Sequence, residues 1–244
     1  MKTSLTRRSL IRLAAVGLAA PAILRRAAAA AETPVLLELF TSQGCSDCPP
    51  ADKLAGELAK LPGVHLATFN VDYWDYLGWK DTLAKPLFSK RQMDYAHARG
   101  DNNVYTPQVV INGAAFAVGS RRGDIEAAMA KARASVLPIA VSIGGSGSDV
   151  EVTLGEGPAM DATLWVMGIA PLVSVPIARG ENAGHGVSYH NVARQLVAAG
   201  TWNGKAQKYK LPKAGLLAPD CTSCLAVLQK GEVGPVLGLA SLAI

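Results

Sequence analysis

The sequence predicts an α/β domain over residues 34–136 and a β-rich, sandwich-like domain over residues 137–244, behind a leader at 1–31. Three observations carry that expectation. A largely apolar run at 35–40 (VLLELF) ends in a glycine turn and a C-x-x-C pair that opens a helix-like segment. A second apolar run at 65–71 (HLATFNV) follows, after Pro62-Gly63, in the order of a parallel crossover unit. From Pro138 onward, helical spacing gives way to short runs divided by Gly-Ser and Gly-Pro turns, the pattern of antiparallel sheets.

The leader has its own logic. Thr6-Arg7-Arg8-Ser9-Leu10 is a twin-arginine pattern, followed by an apolar run at 10–23 and small-residue cleavage sites at 27–31. The rival reading is a membrane anchor. Arg12 interrupts the run, which falls short of the roughly 18 residues that a span needs. The expectation is export to the periplasm or beyond, with no stable membrane anchor once the signal is removed. The leader holds six of the 24 basic residues and no acid, leaving 18 against 19 acids, a net of −1. The basic balance of the whole chain therefore belongs to the leader, and nothing argues for a nucleic-acid partner.

Cys45-Ser46-Asp47-Cys48 is the stretch that carries chemistry. Two cysteines between a strand and a helix present a dithiol at the positive end of the helix dipole, which favours a thiolate. Cys45 is expected at the exposed start of the helix as nucleophile. Cys48, one turn in, is expected to resolve the mixed disulfide. Asp47 opposes the thiolate by its charge, so the thiol should be less acidic than in strong oxidants. Pro49 and Pro50 remove amide donors from the first turn, which distorts the helix or delays its start to Pro50.

Tyr73, Trp74, Tyr76 and Trp79 place four aromatics in seven residues of a chain that is only 6% aromatic. They form either an apolar wall beside the dithiol or a corner packed on the core, and the two readings are compatible. Residues 86–98 read as a helix with Leu87, Phe88, Arg91, Tyr95 and Ala98 on one face. His97 is expected at its surface and His65 at a strand edge. Asn112-Gly113 is a two-residue hairpin signal between strands 108–111 and 115–118. Thr106-Pro107 precedes the first of these, where proline is tolerated. An amphipathic helix at 124–134 follows, with Ser120 or Asp124 as cap.

This order resembles the thioredoxin fold over about 34–136. The resemblance implies that Pro107 is cis and lies beside the cysteines, and that the backbone of Thr106 pairs with bound substrate. Three motifs, LELFTSQGCSDCPPAD, VDYWDYLGWKD and VYTPQVVINGA, more narrowly resemble the exported thioredoxin-like family catalogued as domain of unknown function 1223. That family name supplies no reaction.

In the second half, strands are expected at 139–143, 150–154, 162–169, 172–178, 207–211, 225–229 and 236–242, with 189–199 read as a further strand. Cys221 and Cys224 form a second C-x-x-C. A local disulfide is expected there, with a second redox pair or a metal site as alternatives. His185 and His190 have H-x4-H spacing and with those cysteines suit zinc or copper. Without a ligand, they are a loop residue and a strand residue. Glu181, Asn182 and Arg194 are candidates for a cleft.

The sequence thus points to an exported thiol–disulfide oxidoreductase. Cys45 and Cys48 would be catalytic, while Thr106, Pro107, Trp74 and Tyr76 would hold a protein or small thiol/disulfide substrate, and no cofactor is expected. The alternatives are a non-catalytic binding module with a structural disulfide and a periplasmic copper- or zinc-handling protein.

Overall fold

The first strand, β1 (Val35–Thr41), is buried from end to end. Strand β2 (Val64–Asn70) runs parallel on one side of it and β3 (Gln108–Ile111) antiparallel on the other. One face of β1 sends Leu36 and Phe40 onto Phe88 and Tyr95 of a helix at Pro86–Arg99. The other sends Leu37 and Leu39 onto Leu54 and Leu58 of helix α1 (Pro49–Leu58), and onto Ile125 and Met129 of a helix at Arg122–Arg133. A strand covered on both faces needs an apolar run rather than an alternating one. Glu38 is the exception. Its carboxylate is buried against Arg91 at 2.7 Å and also accepts from the Tyr95 hydroxyl.

The computed structural model describes residues 33–244. The leader expected at 1–31 lies outside the described residues. Of the helices, α2 (Pro86–Arg99) buries Phe88, Arg91, Gln92, Tyr95 and Ala96. Leu87 and Ala98, expected on that face, are exposed. Gln92 is drawn inward because it donates to the Tyr105 carbonyl at 2.8 Å and to Gln108 Oε1 at 3.0 Å. The next helix, α3 (Arg122–Arg133), has Arg121 at its N-cap and no side-chain cap, so neither Ser120 nor Asp124 caps it.

Strands β3 and β4 (Ala115–Val118) form the expected hairpin, with Ile111 opposite Ala115. The loop is therefore three residues, 112–114, rather than two. Gly113 has φ +64°, and a Cβ there would stand 2.2 Å from the Gly234 carbonyl oxygen.

Beyond Pro138 the strands differ from the expected set in length. β5 (Val141–Ser146) and β6 (Asp149–Leu154) pair with each other, and β9 (Gln207–Pro212) joins β6 to complete a three-stranded sheet. β7 (Ala162–Pro176) is one long strand rather than two; the break expected near Pro171 is absorbed by irregular pairing after Gly168. β8 (Gly186–Trp202) folds back along it, and β10 (Ser223–Lys230) and β11 (Val236–Ala243) follow. A short helix, α4 (Lys213–Leu216), lies after β9.

These late strands do not build a separate sheet. The order β11-β10-β7-β8-β2-β1-β3-β4 is one eight-stranded sheet, joined where Thr68 of β2 meets Val192 of β8. Thr68 Oγ1 also donates to the His190 carbonyl at 2.6 Å. Leu137-Pro138 is a change of texture, not a break in the sheet, because β7 and β8 are long enough to reach back to β2. The sandwich is local. Val150, Val152 and Leu154 of the small sheet pack on Leu164, Val166, Ala226 and Leu228 of the large one. Among the described residues, no helix is long and apolar enough to cross a membrane.

Candidate functional site

The chain leaves β1 through Ser42-Gln43-Gly44, turns, and enters α1 at Pro49. Cys45 and Cys48 are joined by a disulfide, with Cα atoms 5.4 Å apart. Cys48 is the N-cap of α1. Its carbonyl accepts from the amides of Ala51 at 2.9 Å and Asp52 at 3.1 Å. Prolines at the first two helical positions leave no amide there to aim at sulfur. Cys45 therefore lies a turn ahead of the helix rather than at its exposed start.

Neither sulfur-bearing residue is open. Cys45 is 3% exposed and Cys48 0%, while Ser46 and Asp47 between them are exposed. The cover comes from the turn between β7 and β8, at 177–185. Asn182 Nδ2 donates to the carbonyls of Gln43 at 3.0 Å and Cys45 at 2.9 Å. The Ser46 amide donates to Glu181 Oε2 at 3.3 Å. Two of the three cleft candidates thus touch the disulfide loop. Arg194 does not, and pairs with Asp220 at 3.2 Å.

The aromatic segment forms the adjoining wall. A Cβ on Gly44 would stand 3.0 Å from Trp74 Cβ, so the aromatic segment lies directly against the turn. Trp74 donates its indole N–H to Thr106 Oγ1 at 2.8 Å. Tyr76 stacks on Trp74 with centroids 6.4 Å apart and is 76% exposed. Trp79 donates to Gln43 Oε1 at 2.8 Å. The Thr106-Pro107 peptide is cis. A Cβ on Gly119 would touch both Pro107 Cβ at 2.9 Å and Ala51 Cβ at 3.0 Å, which sets Pro107 against the first turn of α1. Trp74, Tyr76, Thr106 and Pro107 are thus brought to one place beside the cysteine loop.

Beneath the loop lies a buried polar layer that the sequence does not mark. Asp81 accepts from the Gln43 amide at 2.7 Å, Asn70 Nδ2 at 3.0 Å, and the amides of Leu83 at 2.8 Å and Ala84 at 3.1 Å. Burial pushes its carboxyl above the usual range, and these donors oppose that rise. Asp52, four residues after Cys48, is 2% exposed, and neither carboxyl oxygen makes a hydrogen bond of normal geometry. Its pKa is raised to about 8, chiefly by burial; nearby Thr41 offsets this in part, and the charge of Asp81 adds to it. An acid in the first turn of a helix reads as a dipole partner, which conceals its burial.

The remaining candidates do not assemble. His190 packs on α1, where a Cβ on Gly56 would meet its ring at 2.3 Å. His185 lies in the exposed turn. Cys221 and Cys224 are free thiols, not the expected disulfide. Cys224 enters β10 and points into the layer between the sheets, while Cys221 stays in the preceding loop against Gly168. Burial pushes the Cys224 thiol up to about 12. Among the described residues, no group of three or more His, Cys, Asp or Glu is arranged to hold a metal ion.

Fold and site together define a mixed α/β protein whose C-x-x-C disulfide closes the end of its central strand under a cover from a distant hairpin turn. The chain belongs to the family described as protein of unknown function (DUF1223), whose model matches residues 36–229. It is similar to the crystal structure of protein AGR_C_4864 from Agrobacterium tumefaciens, with 31% identity and a TM-score of 0.75. That match covers 87% of this chain and 95% of the other. A likeness in fold extends to HBP35 of Porphyromonas gingivalis, with 14% identity, a TM-score of 0.62, and coverage of 87% and 76% of the two chains. No curated protein matches the sequence.

Proposed function

We propose that the protein is an exported thiol–disulfide oxidoreductase of thioredoxin-like architecture. The observation that carries this reading is the Cys45–Cys48 disulfide between β1 and α1, with Cys48 at the N-cap. The cis Thr106-Pro107 peptide packed on that helix, with Trp74 hydrogen-bonded to Thr106, supports it.

A substrate thiolate attacks Sγ of Cys45, the less buried of the two residues. The Cys45–Cys48 bond breaks, a mixed disulfide forms on Cys45, and Cys48 leaves as a thiolate at the helix N-terminus. A second substrate thiolate then displaces Cys45, which leaves as a thiolate. Two substrate thiols become one disulfide, and Cys45 and Cys48 receive their two electrons. The reverse direction uses the same bonds, with Cys45 attacking and Cys48 resolving. Trp74, Tyr76 and the backbone at Thr106 would hold the substrate segment.

The burial of both cysteines under Asn182 and Glu181 favours a second reading, a binding module whose disulfide is structural. The equilibrium potential of Cys45/Cys48, measured in a Cys221→Ser/Cys224→Ser background, separates the two. A value within roughly −120 to −270 mV is expected for an exchangeable pair. A value below roughly −300 mV assigns the structural role. Cys45→Ser should abolish dithiol turnover, and full activity in that variant would remove the catalytic assignment.

A further inference from the structure

Asp52 is a buried titratable group that disulfide exchange does not use. It stands four residues after Cys48, so the two share a face of α1. The residue is 2% exposed, and both carboxyl oxygens are sealed from solvent.

The root of the cover lies over this part of α1. β8 starts at Gly186, directly after the turn at 177–185 that carries Glu181 and Asn182. Its first residues lie across the helix, where a Cβ on Gly56 would meet the His190 ring at 2.3 Å. A cavity of about 260 Å³ remains between the two elements, walled by Pro49, Asp52 and Lys53 on one side and by Val187, Ser188 and His190 on the other. Asp52 lines it, yet its oxygens do not open into it.

The groups around the carboxyl do little for its charge. Asp81, from the segment ahead of α2, repels it, and the Thr41 hydroxyl offsets this in part. Tyr189 of β8 is 1% exposed and is held protonated by burial and by the charges of Asp52 and Asp81. His190 is kept toward its neutral form by burial and by Lys60. Lys53 is exposed. A buried carboxylate without hydration is costly. Water reaches Asp52 if the start of β8 moves off α1, and that movement carries the adjoining turn away from Cys45.

We propose that Asp52 is a proton-controlled latch on the cover. Protonated, it lets β8 lie closed on α1, with Glu181 and Asn182 over the disulfide loop. On releasing its proton to solvent it favours the lifted β7–β8 ribbon, in which the carboxylate is hydrated and Cys45 is uncovered. The latch rests on the redox reading for its purpose, since it regulates access to the same disulfide. Opening gains up to roughly tenfold per pH unit while the lifted form is ionised and the closed form is not. The gain ends near pH 8, where the closed form ionises as well.

The test is reduction of Cys45–Cys48 in the full chain by excess tris(hydroxypropyl)phosphine, across the pH range on either side of that value. Each rate is divided by that of the urea-unfolded protein at the same pH, which cancels the titration of the phosphine. The wild-type ratio should rise by roughly tenfold or more over the two pH units below the plateau and then level off. Asp52→Asn and Asp52→Ala carry no titrating group there, and their ratios should stay within about twofold throughout. Alkylation of Cys224, buried in β10, reports unfolding beyond the ribbon and should lag behind reduction. A flat wild-type ratio, a rise that never levels, the same rise in both variants, or reduction that only keeps pace with Cys224 alkylation would overturn the latch. The equilibrium potential decides whether the pair is exchangeable, and the pH profile decides whether Asp52 controls access, so either result can fail without the other.

Discussion

Asn182 donates to the Cys45 carbonyl at 2.9 Å, bridging 137 residues of chain. The same amide nitrogen reaches the Gln43 carbonyl at 3.0 Å, so one side chain fastens both ends of the turn that presents the disulfide. The cover is made by the hairpin between β7 and β8, and on the proposed redox reading, exchange at Cys45 would need that hairpin turn to lift.

Asn182→Ala removes both bonds and should loosen the cover. Each side-chain bond to a buried carbonyl contributes about 1 kcal/mol. A loss of one or two kcal/mol raises the open population roughly 5- to 30-fold. Reduction of Cys45–Cys48 by glutathione should accelerate within that range, measured as the initial rate of thiol release at fixed pH. An unchanged rate would show that the cover does not limit access.

Asp52 makes stability depend on pH in a definite direction. Burial lifts its carboxyl in the folded state to about 8, against an ordinary value of 3.8. The folded state therefore holds a proton that the unfolded state has released. The contribution is fully present below about pH 4 and is lost as pH rises to about 8, at roughly 1.4 kcal/mol per pH unit. Asp52→Asn keeps the shape without the titration. Its unfolding free energy in urea should exceed that of the wild type by several kcal/mol at pH 8, and the difference should shrink toward pH 5. Parallel pH profiles for the two proteins would contradict the burial argument.

How much of this was legible follows from what each residue answers to. β1 and the two strands of the β3–β4 hairpin depend on local periodicity and stand where the sequence puts them, whereas the hairpin loop is one residue longer than expected and Cys45 lies buried a turn ahead of α1. Trp74 and Thr106 were marked by an aromatic cluster and an X-Pro step, and they meet at 2.8 Å. Glu181 and Asn182 of the cover were marked as candidates for a cleft but without their partners, which lie well over a hundred positions away. Asp81 gave no signal, since its four donors come from three separate segments. The shared sheet was hidden for the same reason. A single pairing, Thr68 with Val192, joins two halves whose local patterns look independent.

Gly113 ties those halves together at another point. Its φ of +64° and the 2.2 Å approach of the Gly234 carbonyl leave no space for a side chain. The neighbouring Asn112 carbonyl accepts from the Val236 amide at 2.9 Å, so the hairpin and the entry to β11 are docked through backbone. Gly113→Ala must meet a left-handed penalty of about 1–2 kcal/mol together with a clash against backbone, which cannot rotate away. A loss of about 2 kcal/mol or more is expected in denaturant unfolding. Gly123→Ala, a helical position with open space around its Cβ, should instead be neutral or stabilising.

The two late cysteines offer a test that needs no activity. With Cys45–Cys48 oxidised and the other pair free, the folded protein should titrate as one accessible thiol and the unfolded protein as two. Their reactivities should differ. Cys221 is half-buried, whereas Cys224 is 0% exposed and its pKa is pushed up to about 12 by burial, with the Cys221 sulfur adding to the rise. Because the thiolate is the reacting species, a thiol reagent at pH 8 should label Cys221 first and reach Cys224 only on unfolding. Cys221→Ser should therefore remove the fast phase and leave the slow one. Two equal phases in the folded protein, or no free thiol at all, would mean that the pair is arranged differently, the latter being the local disulfide that the C-x-x-C spacing suggests.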